Sequence, residues 1–170
     1  GAGGMKQTTW YNGLNSNRLD QDDLFTLGRT LGYRADDLPD DQVQTMNDEG
    51  GDGRQIYRAG GFLGLNDVDF SGRAGAPDVD WFRFHSDGGA AEVRVADPGV
   101  AGNLRTRVEI WTAAGRPICG NIGGAAINRF SVFLDQGDYL VRVSTEGEYG
   151  NLGTYDLQVL PIDEIGRAHV

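Results

Sequence analysis

The 170-residue chain reads as an all-β protein, an antiparallel two-sheet sandwich with a short helical appendage at its N-terminus. Three observations predict this. Glycine occurs 27 times, which suits many short elements joined by tight turns better than a helical bundle. Beyond residue 54, apolar and polar residues alternate with a period of two. The alternating runs are bounded by Gly, Asp, Asn or Pro, the residues that turns require.

Taken in order, Asp20-Gln-Asp-Asp-Leu-Phe-Thr-Leu-Gly-Arg-Thr-Leu31 places Leu24, Leu27 and Leu31 at helical spacing. Asp20, Asp22 and Asp23 stand where negative charge complements a helix N-terminus, and Gly32 can end the helix. The stretches Asp36-Asp-Leu-Pro-Asp-Asp41 and Asn47-Asp-Glu-Gly-Gly-Asp-Gly53 are acidic and rich in turn residues, so residues 39–53 read as a linker. Residues 56–65 supply one or two strands interrupted by Gly60 and Gly61, and further strands are expected over 79–85, 91–95, 104–110, 129–134, 138–144 and 154–160. In the clearest of them Leu104, Thr106, Val108 and Ile110 face one way, and Arg105, Arg107, Glu109 and Trp111 the other. Ala113-Ala-Gly-Arg116 and Asp135-Gln-Gly-Asp138 are compact connections of the kind that hairpins or sheet-to-sheet crossings use.

Composition excludes several classes. The formal net charge is −10, a field that repels a phosphate backbone, so nucleic acid is not expected as a partner. No apolar run reaches membrane-spanning length, and the N-terminal residues lack the pattern of a signal peptide, so an export signal is expected upstream. The single cysteine, Cys119, rules out an intrachain disulfide and a zinc site of cysteine type, and its apolar setting reads as packing rather than reactivity.

Four blocks carry a family resemblance. They are Asp78-Val-Asp-Trp-Phe-Arg-Phe84, Asn103-Leu-Arg-Thr-Arg-Val-Glu-Ile-Trp-Thr-Ala-Ala-Gly115, Phe130-Ser-Val-Phe-Leu-Asp-Gln-Gly-Asp-Tyr-Leu-Val-Arg-Val143 and Gly153-Thr-Tyr-Asp-Leu-Gln-Val159. In this order they resemble the bacterial pre-peptidase C-terminal domain family, which implies a jelly-roll-like sandwich next to a secreted peptidase domain. The N-terminal part, with Gly1-Ala-Gly-Gly-Met-Lys-Gln-Thr-Thr-Trp10 and Gly32-Tyr-Arg-Ala-Asp-Asp37, is similar to the segment after the methionine turn of reprolysin-like metzincin proteases. The two resemblances imply a peptidase-domain tail over residues 1–38, the linker over 39–53, the sandwich over 54–161 and a tail over 162–170.

The expected function is that of a non-catalytic accessory domain of a secreted or cell-surface bacterial metalloprotease, serving tethering, export or substrate binding. The alternative is a carbohydrate-binding or adhesion module of sandwich type. Its expected partners are its own upstream peptidase domain and a protein or polysaccharide substrate. Metzincin chemistry needs three imidazoles on zinc and a glutamate base, whereas this sequence has only His85 and His169, so neither zinc nor catalysis is expected here. Calcium is the candidate cofactor: Asp78 and Asp80 alternate at a strand start, Asp67 and Asp69 repeat that spacing in the preceding loop, and a turn could converge all four on one hard cation. The competing reading has these aspartates capping turns. Trp111, whose parity opposes the apolar face of its strand, and Tyr149, in the loop Gly147-Glu-Tyr-Gly-Asn151, are the candidate ligand contacts. Against that, a loop aromatic can fold back on the sandwich.

Overall fold

The computed structural model describes residues 12–14, 20–22, 37–50, 55–64, 78–96, 104–122, 127–145 and 153–162. Among them there is no helix. Two short strands, β1 (Asn12–Leu14) and β2 (Asp20–Asp22), pair antiparallel. Asp20 to Asp22 were expected to open a helix and are instead extended, because pairing with β1 gives their backbone the hydrogen bonds that a helix would have supplied. The remainder of the expected helix, with Leu24, Leu27 and Leu31, lies outside the described residues.

The other eight strands form one hydrogen-bonded network: β3 (Val43–Thr45), β4 (Asn47–Asp48), β5 (Tyr57–Leu63), β6 (Val79–Ala96), β7 (Thr106–Thr112), β8 (Pro117–Ile122), β9 (Ile127–Thr145) and β10 (Gly153–Pro161). All pairings are antiparallel except that of β3 with β6. Part of the stretch read as linker is therefore sheet. Met46, between β3 and β4, is buried in the core and donates its N–H to the carbonyl of Arg83.

The architecture turns on the long β6–β9 ribbon, in which four expected strands are fused into two. Val79 faces Ser144, Asp87 faces Gln136, Gly89 faces Leu134 and Ala96 faces Ile127, so the register never slips. Yet the buried face changes parity along both strands. It runs through Asp80, Phe82 and Phe84 and then Ala91, Val93 and Val95 on β6, against Tyr139, Val141 and Val143 and then Leu134 and Asn128 on β9. Without a register slip, only a turn of the whole ribbon about its own axis can exchange its faces. Gly88 and Gly89, with φ of 95° and 118°, provide the backbone for it at values that L side chains rarely adopt.

One half of the ribbon thus belongs to each layer. In the first layer β4, β5 and β10 lead to residues 89–96 of β6 and 127–134 of β9; in the second, β3 leads to residues 79–87 of β6, 136–145 of β9, then β7 and β8. Aromatic rings fill the space between them: Tyr57 of β5 meets Phe84 at a centroid distance of 5.7 Å, and Phe82 meets Tyr155 of β10 edge-on at 6.3 Å. Asn128 ties the layers along one side, donating from Nδ2 to the carbonyls of Thr106 and Asn121.

Candidate functional site

One end of the sandwich concentrates carboxylates. Asp78 and Asp80 lie on the inner face at the start of β6 and are 1% and 0% exposed. Burying carboxylates so deeply requires donors. The N–H of Gly64 donates to Oδ2 of Asp78 at 2.5 Å, and the hydroxyl of Tyr155 donates to Oδ2 of Asp80 at 2.5 Å across the layers. Burial first, then the Asp80 charge and the hydrogen bond to it, push the Tyr155 phenol far above its ordinary range, with Asp37 and Asp78 acting in the same direction.

Gly61 makes this contact possible. It stands opposite Tyr155 in the β5–β10 ladder, and a Cβ there would lie 2.8 Å from the Tyr155 hydroxyl and 3.0 Å from Oδ2 of Asp80. The expected interruption of this strand at Gly60 and Gly61 is absent: β5 is continuous, and Gly61 clears space for a side chain from the neighbouring strand. Two further carboxylates come from the segment before β3. Asp37 Oδ1 accepts from the N–H of Phe62 at 3.2 Å, and Asp40 Oδ1 accepts from the N–H of Val79 at 2.8 Å.

Of the four aspartates expected to bind calcium, the structure brings Asp78 and Asp80 to this end, while Asp67 and Asp69 lie outside the described residues. Among the described residues, no three Asp, Glu, His or Cys side chains gather into a group able to hold a metal ion. Asp78 and Asp80 each commit an oxygen to a protein donor. The sequence reading missed the approach of Asp37 and Asp40, since an acidic, proline-containing stretch signals a linker and carries no mark of what it packs against.

Trp111 is on the outer face of the second layer, as its parity predicts, and is half-buried. It meets Trp81 edge-on, with ring centroids 5.6 Å apart at 72°. The Arg142 guanidinium carbon sits 5.9 Å from the Trp81 centroid, Arg142 donates to Glu109 at 2.7 Å, and Arg107 donates to the other Glu109 oxygen at 3.1 Å. The Trp111 indole N–H is buried without a hydrogen-bond acceptor. Tyr149, the other candidate contact, lies outside the described residues. Cys119 packs partly against the core, and burial raises its thiol pKa.

No protein-family model matches the chain, and neither does any curated protein. Among solved structures it is similar to the pre-peptidase C-terminal domain of a collagenase from Bacillus anthracis, at 12% identity and a TM-score of 0.46, covering 69% of this chain and 94% of that one. It is also similar to PliG of Aeromonas hydrophila, a periplasmic inhibitor of g-type lysozyme, at 15% identity and a TM-score of 0.45, covering 70% of this chain and 96% of that one.

Proposed function

We propose that this chain is a non-catalytic accessory domain of a secreted bacterial metalloprotease, joined to an upstream metzincin-like peptidase domain that it tethers, helps export or serves in substrate binding. One observation carries the reading. The first and last sequence blocks that resemble the pre-peptidase family meet in the core, where Tyr155 of Gly153-Thr-Tyr donates to Asp80 of Asp78-Val-Asp. The motif residues are thus parts of one contact, which supports reading the two blocks as parts of one domain. Calcium belongs to the same proposal, with Asp67 and Asp69 completing the set begun by Asp78 and Asp80.

The Trp81–Trp111 pair is the proposed substrate-binding face, because aromatic rings set beside arginine on an outer sheet surface suit both peptide and sugar ligands. Sedimentation with an insoluble protein polymer such as collagen is expected to retain the wild type and to lose Trp111→Ala. Retention unaffected by Trp111→Ala would remove this face from the reading, and no retention on any protein polymer would leave tethering or export. Saturable signals on a glycan array, with none on protein polymers, would favour the carbohydrate module instead.

A further inference from the structure

At the end of the molecule opposite the Asp80–Tyr155 contact, the exchange of faces in the ribbon leaves a cleft of about 180 Å³, large enough for the end of one long side chain. Phe84, Ala91 and Val159 form its apolar depth, Tyr57 stands at its side, and Gly88 and Gly89 form part of its rim. A Cβ at Gly89 would meet nothing within 4 Å, so the mouth is open there.

The polar lining of the cleft is Gln55, Tyr57, His85, Ser86 and Asp87, and Asp138 borders it through its contact with His85. His85 Nδ1 lies 2.7 Å from Oδ1 of Asp138, while its Nε2 lies 3.8 Å from Asp87, beyond hydrogen-bond reach. The Asp87 and Asp138 side chains are 65% and 55% exposed. Burial raises the pKa of the Tyr57 phenol, and the charges of Asp48, Asp87 and Asp138 raise it further, so all three carboxylates project their field onto this wall. Tyr57 and Phe84, in ring contact at 5.7 Å, give the cleft an aromatic side.

The geometry points to a binding site for the basic side chain of a partner polypeptide, an arginine whose stem fills the apolar depth while its guanidinium meets Asp87 and Asp138. A guanidinium suits the arrangement because it is planar, permanently charged and weakly hydrated, and can bond a carboxylate while lying against a ring. This site shares no residue with the Asp78–Asp80 cluster or the Trp81–Trp111 face, and it stands or falls independently of the accessory-domain reading.

The test is an NMR titration of the whole chain with N-acetyl-arginine amide, using the isosteric but uncharged citrulline amide as the comparison. The arginine compound should shift the amide resonances of Tyr57, His85, Gly88 and Gly89 along a saturable curve, and added salt should weaken it. Asp87→Asn and Asp138→Asn should each weaken binding about two- to fivefold, the range for exposed ion pairs. Asp156→Asn, an exposed carboxylate toward the far end of β10, should leave binding unchanged. Because Asp87 and Asp138 are exposed, the variants should keep the wild-type spectrum away from the cleft, which separates lost binding from lost folding. Equal shifts from arginine and citrulline, shifts centred elsewhere, or undiminished binding in both variants would overturn the assignment.

Discussion

At the residue scale, the Tyr155–Asp80 hydrogen bond joins the two layers, and its removal is expected to be costly. Tyr155→Phe should lower the unfolding free energy by about 1.5–3 kcal/mol, the range for a hydrogen bond to a charged group, as read by urea denaturation near neutral pH. The phenol also makes stability sensitive to alkali. Unfolding returns its pKa to the ordinary 10.0 while the folded state holds it well above that value. Above pH 10 the unfolded chain therefore binds fewer protons, and stability should fall by about 1.4 kcal/mol per pH unit as pH rises, an effect absent below pH 10. Tyr57, whose phenol pKa is also raised, contributes in the same direction. Tyr155→Phe should flatten this alkaline slope without abolishing it, and an unchanged slope would show that Tyr155 is not its source. None of this could be read from Tyr155 in sequence, where it is one aromatic on an alternating strand. Its partner stands 75 residues away, and the space it needs is made by a glycine on a third strand.

At the element scale, the alternating pattern located most strand segments, but it did not show that two pairs of them are continuous. The stretches after His85 and around Gly137 contain Asp and Gly and read locally as turns, since the same residues serve hairpins and crossings alike. What distinguishes them is pairing: the β6 and β9 halves stay in register through the glycines, so the ribbon rotates and does not end. The strand β8 was missed because Pro117-Ile-Cys-Gly-Asn-Ile122 has no clear alternation, yet β7 pairs with it through the hairpin at Ala113 to Arg116, where the Thr112 N–H reaches the Arg116 carbonyl at 2.8 Å. The rotation makes a testable demand on Gly88. Gly88→Ala places a Cβ on a residue at φ 95° and 3.4 Å from the Gln136 nitrogen, so it should destabilise the fold by about 1–3 kcal/mol. Gln136→Ala, an exposed position on the facing strand, should change stability by less than about 0.5 kcal/mol. Equal effects of the two in denaturant titrations would show that the ribbon does not depend on glycine there.

At the scale of the whole molecule, the acidity of the chain has an uneven geometry. The net charge is −10, and Asp37, Asp40, Asp78 and Asp80 converge on the end of the sandwich where β6 begins, two of them buried. β5 closes at Leu63 and β6 opens at Val79 at that same end. Calcium bound by the folded state alone would stabilise it by mass action, by about 2.7 kcal/mol at a free concentration 100 times Kd, a change worth several degrees in a domain of this size. Magnesium should do less, since it demands strict octahedral geometry and gives up its waters reluctantly. Thermal melts with chelator, calcium and magnesium should therefore give midpoints in the order calcium, magnesium, chelator. The informative variant is Asp67→Asn with Asp69→Asn, because Asp78 and Asp80 also accept structural hydrogen bonds, and changing them would confound metal loss with core damage. The double variant should keep the midpoint seen with chelator and lose the calcium increment. A wild-type midpoint identical in all three conditions would leave Asp78 and Asp80 as internal acceptors for Gly64 and Tyr155, with the contact between the layers intact and calcium no part of it.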